Sequence, residues 1–120
     1  MCPAAFEASA TALDGGIRLV AIRGELDLTT APDLEEPLEQ AIASGDTSLL
    51  IDLSECEFID STGIALIVRA WQKLDDGGGG GRVVICCENE QVCRVLEVTG
   101  LERSIPIHAG RDEALAALRA

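Results

Sequence analysis

The chain has few aromatic and few basic residues. Among its 120 residues are two phenylalanines (Phe6 and Phe58), one tryptophan (Trp71) and no tyrosine. That leaves little to stack nucleic-acid bases on. Nine Lys and Arg stand against 21 Asp and Glu, a formal charge of -12, so no basic patch is available to hold a phosphate backbone. Direct nucleic-acid binding and electrostatic docking on anionic membranes are therefore not expected. The acidity either keeps a small protein soluble or faces a basic partner. No stretch approaches the roughly 18 continuous apolar residues of a membrane span, so no membrane insertion is expected. The opening MCPAAFEASA lacks the basic-then-apolar order of a signal peptide. A soluble, cytoplasmic protein is the expectation.

Histidine is scarcer still, with His108 alone. The cysteines (Cys2, Cys56, Cys86, Cys87 and Cys93) are five in number, and none lies in a C-x-x-C pair. An odd set of this kind makes a poor disulfide framework and a poor zinc site. Reduced, mostly buried thiols are expected, with no metal and no cofactor.

What the chain does have is aliphatic. Apolar residues make up 48%, enough for one packed domain spanning 1–120. Phe6–Leu13 reads weakly and Ile17–Leu26 clearly as strands, joined by a hairpin turn at Asp14-Gly15-Gly16. Thr30-Ala31-Pro32-Asp33 reads as a helix start with Thr30 as cap. Leu34, Leu38, Ala41 and Ile42 follow at helical spacing, with a kink expected at Pro37 and an end at Gly45. A strand from Ser48 passes through an acidic segment to Phe58-Ile59. Asp60-Ser61-Thr62-Gly63 then turns into a helical stripe of Ile64, Ile67, Val68, Trp71 and Leu74. Leu66, on the flank of that stripe, fits either core or interface.

Residues 75–81 are expected to form a flexible Gly-rich loop, and 1–5 a disordered end. The glycine run precedes a strand and lacks a following Gly-Lys-Ser/Thr, so it is not a phosphate cradle. Arg82–Cys87 reads as a strand and Glu90–Thr99 as a helix ended by Gly100. Ile105–His108 is a last strand and Asp112–Ala120 a last helix. The order β-β-α-β-α-β-α-β-α predicts an α/β domain, its sheet mostly parallel with one antiparallel edge strand and right-handed crossovers.

In such a sheet the carboxyl ends of the parallel strands share an edge where ligands or partners meet the protein. Asp27 and Asp60 reach that edge, with Ser61, Thr62 and Gly63 beside the second. Ser61 there is either a helix cap or a hydroxyl for chemistry. A nucleophilic serine needs a base, for which His108 is the one candidate. The elbow pattern G-x-S-x-G is missing, because residues 59–63 read Ile-Asp-Ser-Thr-Gly. No catalytic residue is expected, and the chain does not read as an enzyme.

Several segments together carry a family resemblance. They are Gly24-Glu25-Leu26-Asp27, Leu49-Leu50-Ile51-Asp52-Leu53-Ser54 and Phe58-Ile59-Asp60-Ser61-Thr62-Gly63-Ile64, with Gly100-Leu101-Glu102 and Glu113-Ala114-Leu115 near the end. In these the chain resembles the STAS domain family, specifically its bacterial anti-sigma factor antagonists that stand alone as single domains. Pro37 and the five-glycine loop depart from the pattern. The resemblance implies that Ser61 is phosphorylated by an anti-sigma factor that is itself a serine kinase. The unmodified form would bind that kinase and release a sigma factor, and a phosphatase acting on phospho-Ser61 would reset the system. Asp27, Asp60, Ser61, Thr62 and Gly63 would form the partner-binding surface, with Thr62 the less favoured phosphoacceptor. ATP and Mg²⁺ would belong to the kinase. Two other roles fit the same domain: a non-phosphorylated STAS subunit of a lipid-transport ABC complex, and a small-ligand-sensing STAS module.

Overall fold

A computed structural model describes residues 6–43, 48–76 and 82–119. The expected disordered end at 1–5, the Gly45 helix stop and the glycines of 77–81 lie outside the described residues. In chain order the elements are β1 (Glu7–Leu13), β2 (Ile17–Leu26), α1 (Ala31–Ala43), β3 (Ser48–Ile59), α2 (Ser61–Asp76), β4 (Arg82–Cys86), α3 (Glu90–Val98), β5 (Ile107–His108) and α4 (Arg111–Arg119). A 3-10 turn at Leu101–Arg103 precedes β5.

The five strands lie in the order β1-β2-β3-β4-β5. β1 pairs antiparallel with β2, and every other pair is parallel. Because the order never reverses, successive right-handed crossovers put their helices on one face. Accordingly α1, α2 and α3 bury Leu34, Leu38, Ile67, Ala70, Val92 and Leu96 against that face of the sheet. The opposite face is left to α4, which covers Ile17, Leu19, Leu50 and Val84 with Ala114 and Leu118. α4 has nine residues and spans only about 14 Å. Beyond it the sheet face is polar and open to water.

The strands differ in length, and that positions the site. β4 ends at Cys86, level with Asp52 of β3. β3 continues seven residues further to Ile59, roughly 20 Å, accompanied by β2. The register between them shifts at Ala21/Arg23 and Gly24/Glu25. Gly24 there has φ 93, a conformation that favours glycine. β1 keeps pace with them as far as Arg23, so the projection is two strands wide only at its end, Gly24–Leu26 against Cys56–Ile59.

α1 continues through Pro37, where no amide is available to bond the carbonyl of Asp33. Several local expectations need adjusting. α2 runs on to Asp76, two residues into the segment read as loop. Thr99 is exposed and caps α3. Leu66 is 8% exposed and belongs to the core.

Candidate functional site

The tip of the projection is built from two junctions of nearly identical wiring. After β2, Asp27 Oδ1 accepts the amides of Thr29 (2.9 Å) and Thr30 (3.1 Å). After β3, Asp60 Oδ1 accepts the amides of Thr62 (2.9 Å) and Gly63 (3.2 Å). After β3 the carboxylate satisfies two amides that the first turn of α2 leaves without partners; after β2 the two amides belong to the turn just before α1, and that of Thr30 also donates to Asp27 O at 3.2 Å. The carbonyls of the same aspartates accept from Ala31 (2.8 Å) and Ile64 (3.1 Å). The Asp60 amide donates to Leu26 O at 3.2 Å, tying the two strand ends together.

Position +3 separates the junctions. Thr30 was expected to cap α1 with its hydroxyl. Instead that hydroxyl turns back, donating to Glu25 O at 2.7 Å and accepting from Asp27 N at 3.0 Å. The counterpart of Thr30 is Gly63. A Cβ there would stand 2.6 Å from Leu26 Cγ and 3.1 Å from Ile59 Cγ1, and Leu26 has no exposed surface. Only glycine lets α2 start this close to both strands.

Position +1 is the outermost point of each junction, held by Leu28 and Ser61. Leu28 is 74% exposed and Ser61 is exposed. Because Asp60 performs the capping, the Ser61 hydroxyl is released from that duty, and among the described residues it has no hydrogen-bond partner. Thr62 is half-buried. Glu25 and Phe58 are register partners just below the tip, both exposed, Phe58 at 45%. Sequence reasoning placed Asp27, Asp60, Ser61, Thr62 and Gly63 correctly at one edge and passed over Leu28. The signal that marks it is the repeat itself: an aspartate, one exposed residue, then two amides bonded back.

His108 does not share this edge. It pairs with Cys86, which is level with Asp52, so roughly 20 Å of strand separates it from the tip. A serine–histidine pair is ruled out by the unequal strand lengths.

A second polar cluster lies on the open face, at the level where β4 ends. Asp52 is 5% exposed. Its Oδ2 pairs with Nε (3.0 Å) and Nη2 of Arg111 at the start of α4. Its Oδ1 accepts from Ser54 N at 2.9 Å and from the Cys86 thiol at 3.2 Å. Burial pushes the Asp52 carboxyl up, but the hydrogen bonds from Ser54 and Arg111 outweigh it and hold the group at about 2. The same burial, with Asp52 alongside, pushes the Cys86 thiol up to about 12. A groove of about 380 Å³ opens over this pair, lined by Ser9, Arg23, Asp52, Ser54 and Arg111 among others. Every buried charge here is answered within the chain, so we read the cluster as the anchor of α4.

Fold and tip together define a small α/β domain that presents an exposed hydroxyl beside the carboxylate capping α2. The chain belongs to the STAS domain family, whose domain pattern matches residues 9–114. It is 29% identical over 104 residues to the anti-sigma-F factor antagonist RsfB of Mycobacterium tuberculosis, across 87% of this chain and 83% of that protein. An anti-sigma-B factor antagonist of Staphylococcus aureus is 29% identical over 93 residues, 78% of this chain and 84% of that protein. The crystal structure of an anti-sigma factor antagonist from Mycobacterium paratuberculosis has a TM-score of 0.90 at 29% identity, over 99% of this chain and 98% of that one. No helix among the described residues is long and apolar enough to cross a membrane.

Proposed function

We propose that this chain is a cytoplasmic anti-sigma factor antagonist whose activity is set by phosphorylation of Ser61. Unmodified, it binds an anti-sigma factor that is a serine kinase and so frees a sigma factor. Phosphorylation ends the binding, and a phosphatase restores it. The observation that carries this reading is the exposed, unbonded hydroxyl of Ser61, next to an aspartate that already caps the helix. With no base in contact, the hydroxyl depends on a visiting enzyme for activation and for ATP. On this reading the chain is substrate and switch, and not itself an enzyme.

Phosphate would add about -1.5 to -2 charges beside Asp60 and near Asp27. The amides of Thr62 and Gly63, which would otherwise hold an anion at a helix start, are taken by Asp60. The new charge is therefore directed outward, at the partner. Loss of about 3 kcal/mol at that contact weakens binding more than a hundredfold, with little change of fold. Asp27, Asp60, Thr62 and Gly63 shape the surface around the serine, and Leu28 adds an apolar contact at the neighbouring tip.

Incubation with the cognate kinase and ATP should place one phosphate on wild type and on Thr62→Ala, and none on Ser61→Ala. A phosphate that persists on Ser61→Ala, or that vanishes in Thr62→Ala, would sink the assignment.

A further inference from the structure

We propose that Cys87 and Cys93 form a two-thiol modification site that hydroperoxides oxidise to an intramolecular disulfide. The site is independent of the Ser61 reading. Cys86 and Cys87 are adjacent in sequence but point to opposite faces of the sheet, into the α4 cluster and the α3 cluster respectively. Cys86 is held by Asp52; Cys87 meets α3. Asn89 caps that helix, its Oδ1 accepting from Gln91 N (2.8 Å) and Val92 N (3.3 Å). The carbonyl of Asn89 then accepts the amide of Cys93 at 2.9 Å, which winds the first turn so that Cys93 lies back over Cys87. The Cys93 thiol donates to Cys87 O at 3.4 Å, and the Cys87 thiol donates to Asn89 O at 3.6 Å. The Cys93 sulfur thus lies 3.4 Å from the backbone of Cys87 itself.

Their environments assign the order of reaction. Cys87 is 2% exposed, and burial pushes its thiol up, with Cys93 adding to the effect; it stays protonated and out of reach. Cys93 is half-buried in the first turn of α3 and is the more accessible of the two, so a peroxide meets its sulfur first. The Cys93 thiolate attacks the terminal oxygen of a hydroperoxide. The O–O bond breaks, the released alkoxide or hydroxide takes a proton, and Cys93 becomes a sulfenic acid. The Cys87 sulfur then displaces the sulfenic hydroxyl, which leaves as water with the Cys87 proton. In sum, two thiols give up two electrons to the peroxide and are joined by one S–S bond. The bond would clip the end of β4 to the first turn of α3. Asn89, held between them, walls a groove of about 330 Å³ with Gly24, Ser54, Cys56 and Glu57 on the projection.

The reduced full chain is treated with hydrogen peroxide at a small molar excess, then denatured, alkylated and weighed. The proposal predicts a species lighter by two hydrogens with two thiols shielded from alkylation, a peptide linking Cys87 to Cys93, and full reversal by dithiothreitol. Cys93→Ser should abolish it. Cys87→Ser should leave a dimedone-reactive Cys93. Should Cys87→Ser fail to fold, the wild-type peptide map decides alone. A disulfide involving Cys2 or Cys56, overoxidation of Cys93 with Cys87 still free, or no reaction would each overturn the proposal.

Discussion

The β2–α1 and β3–α2 junctions start from the same device and reach different ends. Both strands finish in an aspartate that binds the amides at +2 and +3. In the first junction the +3 side chain is a threonine whose hydroxyl is spent on the turn. In the second it is a glycine that admits the helix, and the only hydroxyl at the outer point belongs to +1. The lesson is that capping and chemistry compete for the same short polar side chains at a helix start. A hydroxyl becomes available when a neighbouring carboxylate takes over the cap.

That contrast can be broken in graded steps. The largest effect is expected for Ser61→Asp, which should weaken partner binding more than a hundredfold (about 3 kcal/mol) with native circular dichroism; unfolding would instead assign Ser61 a capping role. Next is Gly63→Ala. Its methyl meets Leu26 and Ile59, and overpacking of this kind costs about 1–3 kcal/mol, read as a lower urea midpoint. Thr30→Ala, at the equivalent position, should cost about 1 kcal/mol through lost hydrogen bonds instead.

A third strand aspartate, Asp52, serves as the control, since it is buried and ion-paired where Asp27 and Asp60 only cap. Its folded-state pKa of about 2 lies below the ordinary aspartate value of 3.8. The stabilisation is therefore present above about pH 4 and lost as pH falls towards 2. It amounts to at most about 2 kcal/mol, discounted because Arg111 is half exposed. Urea unfolding across pH 2–5 should show this slope in wild type and a flatter one in Asp52→Asn. The smallest effect is expected for Leu28→Ala: unchanged stability, and partner affinity reduced by less than about tenfold.

Local signals in the sequence revealed most elements. The Asp14-Gly15-Gly16 turn, the Thr30–Asp33 helix start and the Asp60–Gly63 junction each announce themselves within four residues, and each falls where expected. Legibility failed where distant segments decide. Asp52 and Arg111 are 59 residues apart, so neither pattern hints at the pair. The reach of β3 past β4 depends on register, which put His108 far from Ser61. The expected last strand, Ile105–His108, shrinks to Ile107–His108, because the Ile105 amide still closes the preceding turn on Leu101 O at 2.9 Å. The use of the Thr30 hydroxyl was hidden too, because a threonine before a helix fits a forward cap and a backward bond equally well. The places of Asp27, Asp60 and Ser61 at the sheet edge were readable because nearest neighbours set them.

The unequal strand lengths carry one more consequence. On the proposed function, strand ends carried past β4 would let another protein's cleft close around the serine as a socket takes a plug, with β5 and α4 set back from the contact. Mutational drift in those two elements would then alter stability while leaving recognition untouched.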